Sequence, residues 1–380
     1  MTVYLDYAST TPVDERVVQA MQPYLADKFY NPSAQYLVAK DVRRDINQAR
    51  EDVAKVIGSK QSEIVFTTGA TEANNLAISG VMECFPGKNL VVSSIEHDSV
   101  IEPAKKYKHS LVTVDESGIV DPESLRSAIT DDTVLVSIMQ ANNEIGVVQP
   151  IKLIAELIAE IKVKRRKNNN ELPLYLHTDS AQATNYLDIH VSRLGIDLMS
   201  VNGGKIYGPK QTGFLFIKTG VKIIGQIQGG GQERGLRSGT ENVPGIVGLA
   251  TALKITTEMR SQESRRMAEL QHYFYRKLDE ILPNLHVNGS KKLRLPNNIH
   301  VTIPGIDNER AMMELDERGV MCAVGSACSA SKDEPSHVLK AIGLSDELAR
   351  SSLRFTMGRA TTKNDIDFAI SALKDSCQQA

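Results

Sequence analysis

The apolar positions of this chain change period several times. Val13, Val17, Met21 and Leu25 recur at helical spacing and predict a helix over residues 12–27. Asn31-Pro32-Ser33 interrupts it. Ser33 is placed to cap a longer helix reaching Ile57, with Val38, Val42, Ile46, Ala49, Val53 and Val56 on one face. After Gly58 short apolar runs alternate with helical stretches. Strands are predicted over residues 63–67, 89–93, 111–114, 133–139, 173–177, 198–201 and 213–217, and helices over 71–82, 100–107, 122–129 and 151–167. The basic run starting at Lys162 reads as a solvated helix end entering the Asn-rich residues 168–170.

This alternation predicts an α/β fold, with a mostly parallel sheet covered by helices and ligands at the carboxyl ends of the strands. The chemically distinctive residues collect there: Gly69 to Glu72, Glu96-His97, Asn142 to Gly146, Asp179 to Gln182, and Lys205. From 241 to 282 the pattern is helical and includes a long linking helix. A strand over 297–303 and helices over 308–318, 336–342 and 363–376 then predict a smaller α/β domain. At roughly 150 residues per domain, 380 residues correspond to two domains. The large one is placed at 13–255; the small one takes 256–380, with 1–12 packed against it.

Composition narrows the function classes. Hydrophobic residues make up 41% and charged residues 24%, as in a globular protein with a sizeable core. The 44 basic and 46 acidic residues leave a net charge of -2, so no global field draws nucleic acid. The chain has no tryptophan and 5% aromatic residues, a poor basis for stacking bases. The amino terminus lacks the basic-then-apolar form of a signal peptide, and no apolar stretch has membrane-spanning length. Four cysteines in so long a chain do not make a disulfide framework. A cytoplasmic protein without membrane or direct nucleic-acid partners is expected.

Candidate chemistry centres on Asn202-Gly203-Gly204-Lys205, where a lysine follows a tight turn. A deprotonated lysine can form a Schiff base with an aldehyde cofactor. Pyridoxal 5'-phosphate (PLP) chemistry also needs an acidic partner for the pyridinium nitrogen, and Asp179 ends the preceding strand. This pairing is similar to that of PLP enzymes with the aspartate-aminotransferase fold. Gly69-Ala70-Thr71-Glu72 suits either a phosphate at a helix amino terminus or an ordinary helix capped by Thr71. Residues 229–242, rich in Gly, Arg, Ser and Thr, read as an anion site or a mobile surface loop. The histidines show no metal-ligand spacing, so no metal site is expected. Cys328 lies among Gly, Ser and Ala, which favours a reactive thiol on a flexible loop, with a protonated His97 as one source of positive charge for its thiolate. Cys84, Cys322 and Cys377 sit in apolar or helical contexts and read as inert. The planar fork of Arg354 suits a substrate carboxylate or an internal salt bridge.

Together these segments resemble the cysteine desulfurases of the NifS/IscS type, class-V aminotransferases of PLP fold type I. The match covers nearly the whole chain. It includes Tyr4-Leu-Asp-Tyr-Ala-Ser-Thr-Thr-Pro12, Gly69 to Glu72, Asn142 to Gly146, Lys205-Ile-Tyr-Gly-Pro-Lys210, Arg237-Ser-Gly-Thr240, Gly325-Ser-Ala-Cys328 and Ser352-Leu-Arg-Phe355. The resemblance implies PLP held on Lys205, with Asp179 at its pyridinium nitrogen and Gln182 and Asn143 at its phenolic oxygen. His97 would stack on the ring and shuttle protons. Ala70 and Thr71 would bind the phosphate, joined by Thr240 from the second subunit of a homodimer. Arg354 would hold the carboxylate of L-cysteine, with Asn31 a further substrate contact. Cys328 would take the sulfur as a persulfide, leaving L-alanine, and pass it to an iron–sulfur scaffold or a tRNA-thiolating enzyme. Where this family usually has Ser-Gly-His before the lysine, the chain has Asn202-Gly203-Gly204. That removes a hydroxyl and an imidazole from the phosphate cup, leaving Asn202 and the Gly204 amide as donors and predicting weaker PLP binding. The competing readings are a selenocysteine lyase or aminotransferase on the same fold, and a PLP-poor binding protein. Cys328 counts against an aminotransferase. The joint presence of Lys205, Asp179, Cys328 and Arg354 counts against the PLP-poor protein.

Overall fold

The computed structural model describes residues 2–325 and 334–377. The chain opens with β1 (Val3–Tyr4), α1 (Glu15–Met21) and α2 (Leu37–Ile57). It then alternates through β2 (Ile64–Thr67), α3 (Ala70–Glu83), β3 (Asn89–Ser93), α4 (Asp98–Ala104), β4 (Lys108–Val112), α5 (Pro122–Ala128), β5 (Thr133–Ser137), α6 (Ile151–Lys167), β6 (Tyr175–Asp179), α7 (Val191–Leu194), β7 (Leu198–Asn202) and β8 (Gly213–Ile217). The long helix α8 (Val243–Ile281) leads to β9 (His286–Val287), β10 (Asn298–Thr302), α9 (Asn308–Glu317), β11 (Val320–Met321), α10 (His337–Ala341), α11 (Asp346–Ala349), β12 (Ser352–Thr356) and α12 (Lys363–Cys377).

Strands β2 to β8 form one seven-stranded sheet in the order β2-β8-β7-β6-β5-β3-β4. From β7 to β4 the pairs are parallel, while β8 and β2 join antiparallel at one edge. Every residue of β5, β6 and β8 is buried, as expected of strands covered on both faces. One apolar layer brings α2, α6 and the first part of α8 against Phe66, Val136, Leu176 and Phe214. The other packs α3 and α4 against Val65, Leu90, Leu135 and Leu215. A further cluster joins Val3 and Leu5 to the later part of α8 (Met267, Phe274), the antiparallel strands β10 and β12, and α12. α8 therefore contributes to both bodies of core: Leu249 and Leu253 to the first, Met267 and Phe274 to the last.

Several sequence expectations need correction. The first helix is cut to Glu15–Met21. Asp14 caps it by accepting from the Arg16 N–H, and Pro23, which cannot donate, falls in the 3-10 turn that ends it. Ser33 does not cap α2. Its N–H is used by Asn31 Oδ1 in a local turn, and the helix starts four residues later. Nor is the end of α6 wholly solvated. Arg165 is buried and donates to the carbonyl of Thr130, satisfying backbone that would otherwise be orphaned. The short strands β1, β9 and β11 and helices α7 and α11 have too few residues to show a period. Among the described residues, no helix is long and apolar enough to cross a membrane.

The antiparallel edge is locked where β8 begins. A Cβ on Gly213 would lie 2.5 Å from the Val201 carbonyl oxygen and 2.8 Å from the backbone of Gly69. Since those neighbours are backbone, Gly213→Ala has to push β8 away from β7 and from the start of α3. It is expected to destabilise the protein by about 1–3 kcal/mol. A urea unfolding midpoint unchanged from the wild type would contradict this close approach.

Candidate active site

The ends of five strands, β2, β3, β5, β6 and β7, face one cavity of about 120 Å³. From β2 the chain passes through Gly69 into α3, setting Ala70 and Thr71 in the wall. The N-cap of α3 is Gly69 (φ +108°), not Thr71, and it brings no side-chain bond. The first-turn amides thus lack a side-chain cap, as an anion site at a helix amino terminus requires. The turn after β3 supplies His97, which caps α4: its Nδ1 accepts from the Ser99 N–H (3.1 Å) and lies 2.8 Å from Ser99 Oγ. Met139, Ala141 and Asn143 follow β5 in the wall.

Asp179 ends β6 and is buried. Its Oδ1 accepts from the Ala181 N–H (2.8 Å) and its Oδ2 from Asn74 Nδ2 (2.7 Å). Gln182 lies one turn further on and donates Nε2 to the Ala8 carbonyl at 2.9 Å. Beyond β7, Gly203–Lys205 forms a single 3-10 turn. A Cβ on Gly203 would sit 2.2 Å from Thr212 Oγ1, so only glycine lets this turn fold under the strand end. Lys205 Nζ donates to the carbonyls of Ala8 (2.7 Å) and Ser9 (2.6 Å), and Asn185 Nδ2 holds the Lys205 carbonyl at 2.6 Å.

The opposite wall comes from β12 and the amino-terminal segment. Arg354, 2% exposed, has its backbone tied to Ala323 in both directions. Its guanidinium donates to the Asn143 carbonyl (2.8 Å), Asp6 Oδ1 (2.7 Å) and Ser9 Oγ (3.1 Å). Arg354 thus forms the internal ion pair, and it also lines the cavity. Asp6, Ala8 and Ser9 escaped the sequence reading as site residues. Their partners lie far along the chain, and no local spacing marks such contacts.

One expected donor is committed elsewhere. The Gly204 N–H goes to Asn202 Oδ1 at 3.0 Å, leaving Asn202 only its Nδ2 to offer a ligand. Asn31 and Thr240 are exposed and are not among the walls of this chain's cavity. In residues 229–242 the arginines serve internal contacts: Arg237 pairs with Glu72 at 3.0 Å and Arg234 donates to the Ile64 carbonyl at 2.7 Å. Cys328 lies outside the described residues. Burial pushes the Cys322 thiol up to about 12 and raises Cys84 and Cys377 as well, as expected of inert packed thiols. Among the described residues, no group of three or more His, Cys, Asp or Glu is placed to hold a metal ion.

Beside His97, Glu96 is fully buried. Burial raises its carboxyl to about 8, against bonds from Ser93 Oγ (2.5 Å) and the Met139 N–H (2.8 Å), which favour the charged form; the nearby Asp179 charge raises it further. One layer back, burial lowers His177 to about 3, and this neutral ring lies between Ser137 Oγ and Ser200 Oγ.

The donor set fits PLP: an uncapped helix start for the phosphate, a buried carboxylate for a protonated ring nitrogen, and an amine on a rigid turn. A parallel α/β sheet with this set at its strand ends defines a PLP-dependent enzyme of fold type I. The chain matches the class-V aminotransferase model over residues 3–368 and belongs to that PLP-dependent family. It is 41% identical over 379 residues to the cysteine desulfurase IscS of Dictyoglomus turgidum, covering 98% of this chain and 93% of that one. Among solved structures, a NifS-like protein superposes with a TM-score of 0.91 at 32% identity over the full length of both chains. The protein SspA in complex with cysteine gives 0.80 at 35% identity, covering 94% of this chain and 99% of that one.

The Glu96 shift has a consequence for stability. Because the folded-state value lies above the ordinary 4.5, the folded protein keeps a proton that the unfolded chain has lost. The stability this contributes is full below about pH 4.5 and is lost as pH rises to about 8. Relative to Glu96→Gln, which cannot ionise, the wild type should lose stability across that window and no further above it. Urea unfolding of both proteins at several pH values checks this. A constant difference between them would contradict a carboxyl buried in its neutral form.

Proposed function

We propose that this protein is a cysteine desulfurase, converting L-cysteine to L-alanine and passing the sulfur to Cys328 as a persulfide. The observation that carries this reading is the convergence of Lys205, Asp179, His97 and Arg354 on one cavity. Full-length similarity to cysteine desulfurases supports it. When bound, PLP supplies an electron sink for the substrate carbon.

The chain's own residues divide the remaining work. Lys205 holds the cofactor and moves protons at the substrate. Asp179 would keep a positive charge at the ring nitrogen, and Gln182 and Asn143 would meet the ring oxygen. The amides of Ala70 and Thr71, with Asn202 Nδ2, would take the phosphate, while the Gly204 N–H is spent within the turn on Asn202 Oδ1. Arg354 binds the substrate carboxylate while remaining paired to Asp6, and Asn31 is a further substrate contact. In the net reaction the carbon–sulfur bond of cysteine breaks, that carbon gains hydrogen, and a sulfur–sulfur bond forms on Cys328. An acceptor protein, an iron–sulfur scaffold or a tRNA-thiolating enzyme, then takes the terminal sulfur.

In this reading residues 13–255 hold the cofactor, 1–12 with 256–380 form the second domain, and the working unit is a homodimer. Thr240, exposed and outside its own chain's cavity, is supplied to the phosphate of the partner. The exposed apolar side chains of Leu25, Phe29, Tyr36 and Leu37 support an interface with a second copy.

Incubating the PLP-loaded protein with L-cysteine and a thiol reductant should release alanine and sulfide in equal amounts. Cys328→Ser should still bind PLP but bring sulfide to background, whereas Cys322→Ser should stay active. Arg354→Lys loses the fork and should raise KM by roughly ten- to a hundredfold. Sulfide release by Cys328→Ser at the wild-type rate, or release without alanine, would contradict the proposal.

A further inference from the structure

We propose that Asn74 and Ser99 are positioning residues that fix the tautomer of His97 by linking its ring, through hydrogen bonds of one defined direction, to the Asp179 carboxylate. The link is short and buried. Asn74 Nδ2 donates to Asp179 Oδ2 at 2.7 Å and to Ser99 Oγ at 2.8 Å; Ser99 Oγ in turn lies 2.8 Å from His97 Nδ1. Asn74 is 0% exposed and Ser99 7%.

The direction of every bond follows from the carboxylate. An ionised Asp179 can only accept, so the Asn74 amide must turn its NH2 group toward it. That NH2 group also serves Ser99, while Asn74 Oδ1 is left buried without a hydrogen-bond partner. A flipped amide would set Oδ1 against the carboxylate, so the orphaned oxygen marks the arrangement's cost. Ser99 Oγ, already accepting from Asn74, has its single proton available for His97 Nδ1. The same nitrogen accepts the Ser99 N–H at 3.1 Å. With two donors converging on it, Nδ1 carries no proton, and the ring is held as the Nε2–H tautomer. Protonating Nδ1 would leave the Ser99 N–H without its acceptor and force the hydroxyl to turn its proton away, so the link favours the neutral ring over the protonated one considered from the sequence. In the proposed desulfurase this gives the site one defined proton-bearing nitrogen and ties its orientation to the carboxylate that would hold the cofactor's ring nitrogen.

The inference deepens the desulfurase reading, but its first test does not depend on that reading. Cofactor-free protein with 15N-labelled histidine, and His97 assigned by comparison with His97→Gln, reports which ring nitrogen is protonated. The wild type should show one tautomer, with Nδ1 bare. Ser99→Ala keeps the backbone N–H and the helix but loses the hydroxyl, and should give a mixture of tautomers; Ser99→Thr should restore the single form. In the PLP-loaded enzyme, Ser99→Ala should lower kcat by roughly three- to tenfold, the range expected for one hydrogen bond, with KM within about twofold. Ser99→Thr should recover it. A His97 protonated on Nδ1 in the wild type, or a tautomer unchanged in Ser99→Ala, would overturn the proposal. A protein that forms no alanine from L-cysteine would instead refute the desulfurase reading and leave the tautomer result to stand alone.

Discussion

The site depends on the parallel pairing of β6 with β7. Asp179 stands opposite Ser200 in that register, so one strand ends in a carboxylate beside another that runs two residues further and turns into Lys205. A slip of one residue would turn the side chains of one strand to the wrong face. The register is held by buried polar contacts as well as by apolar packing. His177 bridges Ser137 and Ser200 across three adjacent strands, and the buried carboxylate of Asp197 accepts the Leu176 N–H at 3.1 Å. A neutral His177, lowered by burial to about 3, can keep those bonds throughout the ordinary pH range.

Around this pair the chain brings a long-range wall. The segment Asp6 to Ser9 is separated from β12 by most of the sequence, yet it supplies carbonyls to Lys205, a carbonyl to Gln182 and a carboxylate to Arg354. A buried guanidinium needs such compensation. The ion pair also fixes Arg354 in place, and preorganisation of this kind would lower the ordering cost of binding a carboxylate there.

Much of this was legible in the chain. Periodicity located α6 over residues 151–167 and β3 and β8 at their observed bounds, because long amphipathic and short apolar runs each carry a clear signal. The short alternating runs at 64–67 and 213–217 could not reveal that β2 and β8 are antiparallel, since strand direction leaves no mark in side-chain alternation. Ser33 looked like a cap because residue type alone does not show where its N–H is spent. At the site, Lys205 and Asp179 stood out because glycine turns and strand ends are local features. Asp6 and Ser9 did not, since their roles come from contacts hundreds of residues away. Asn74 and Ser99 left a fainter trace: a polar residue on the buried face of α3 beside Ala73 and Ala77, and a hydroxyl in the first turn of α4. A buried amide in such a place calls for a partner.

Lys205, which lines the same cavity as Asp179, is the residue proposed to carry the cofactor. Reducing the PLP-loaded protein with borohydride and mapping the labelled peptide by mass spectrometry tests it most directly. The pyridoxyl group should be found on Lys205 and be lost in Lys205→Ala; a label on Lys210, whose Nζ is bonded to the Thr11 carbonyl at 2.9 Å, or on no lysine of this segment, would contradict the account.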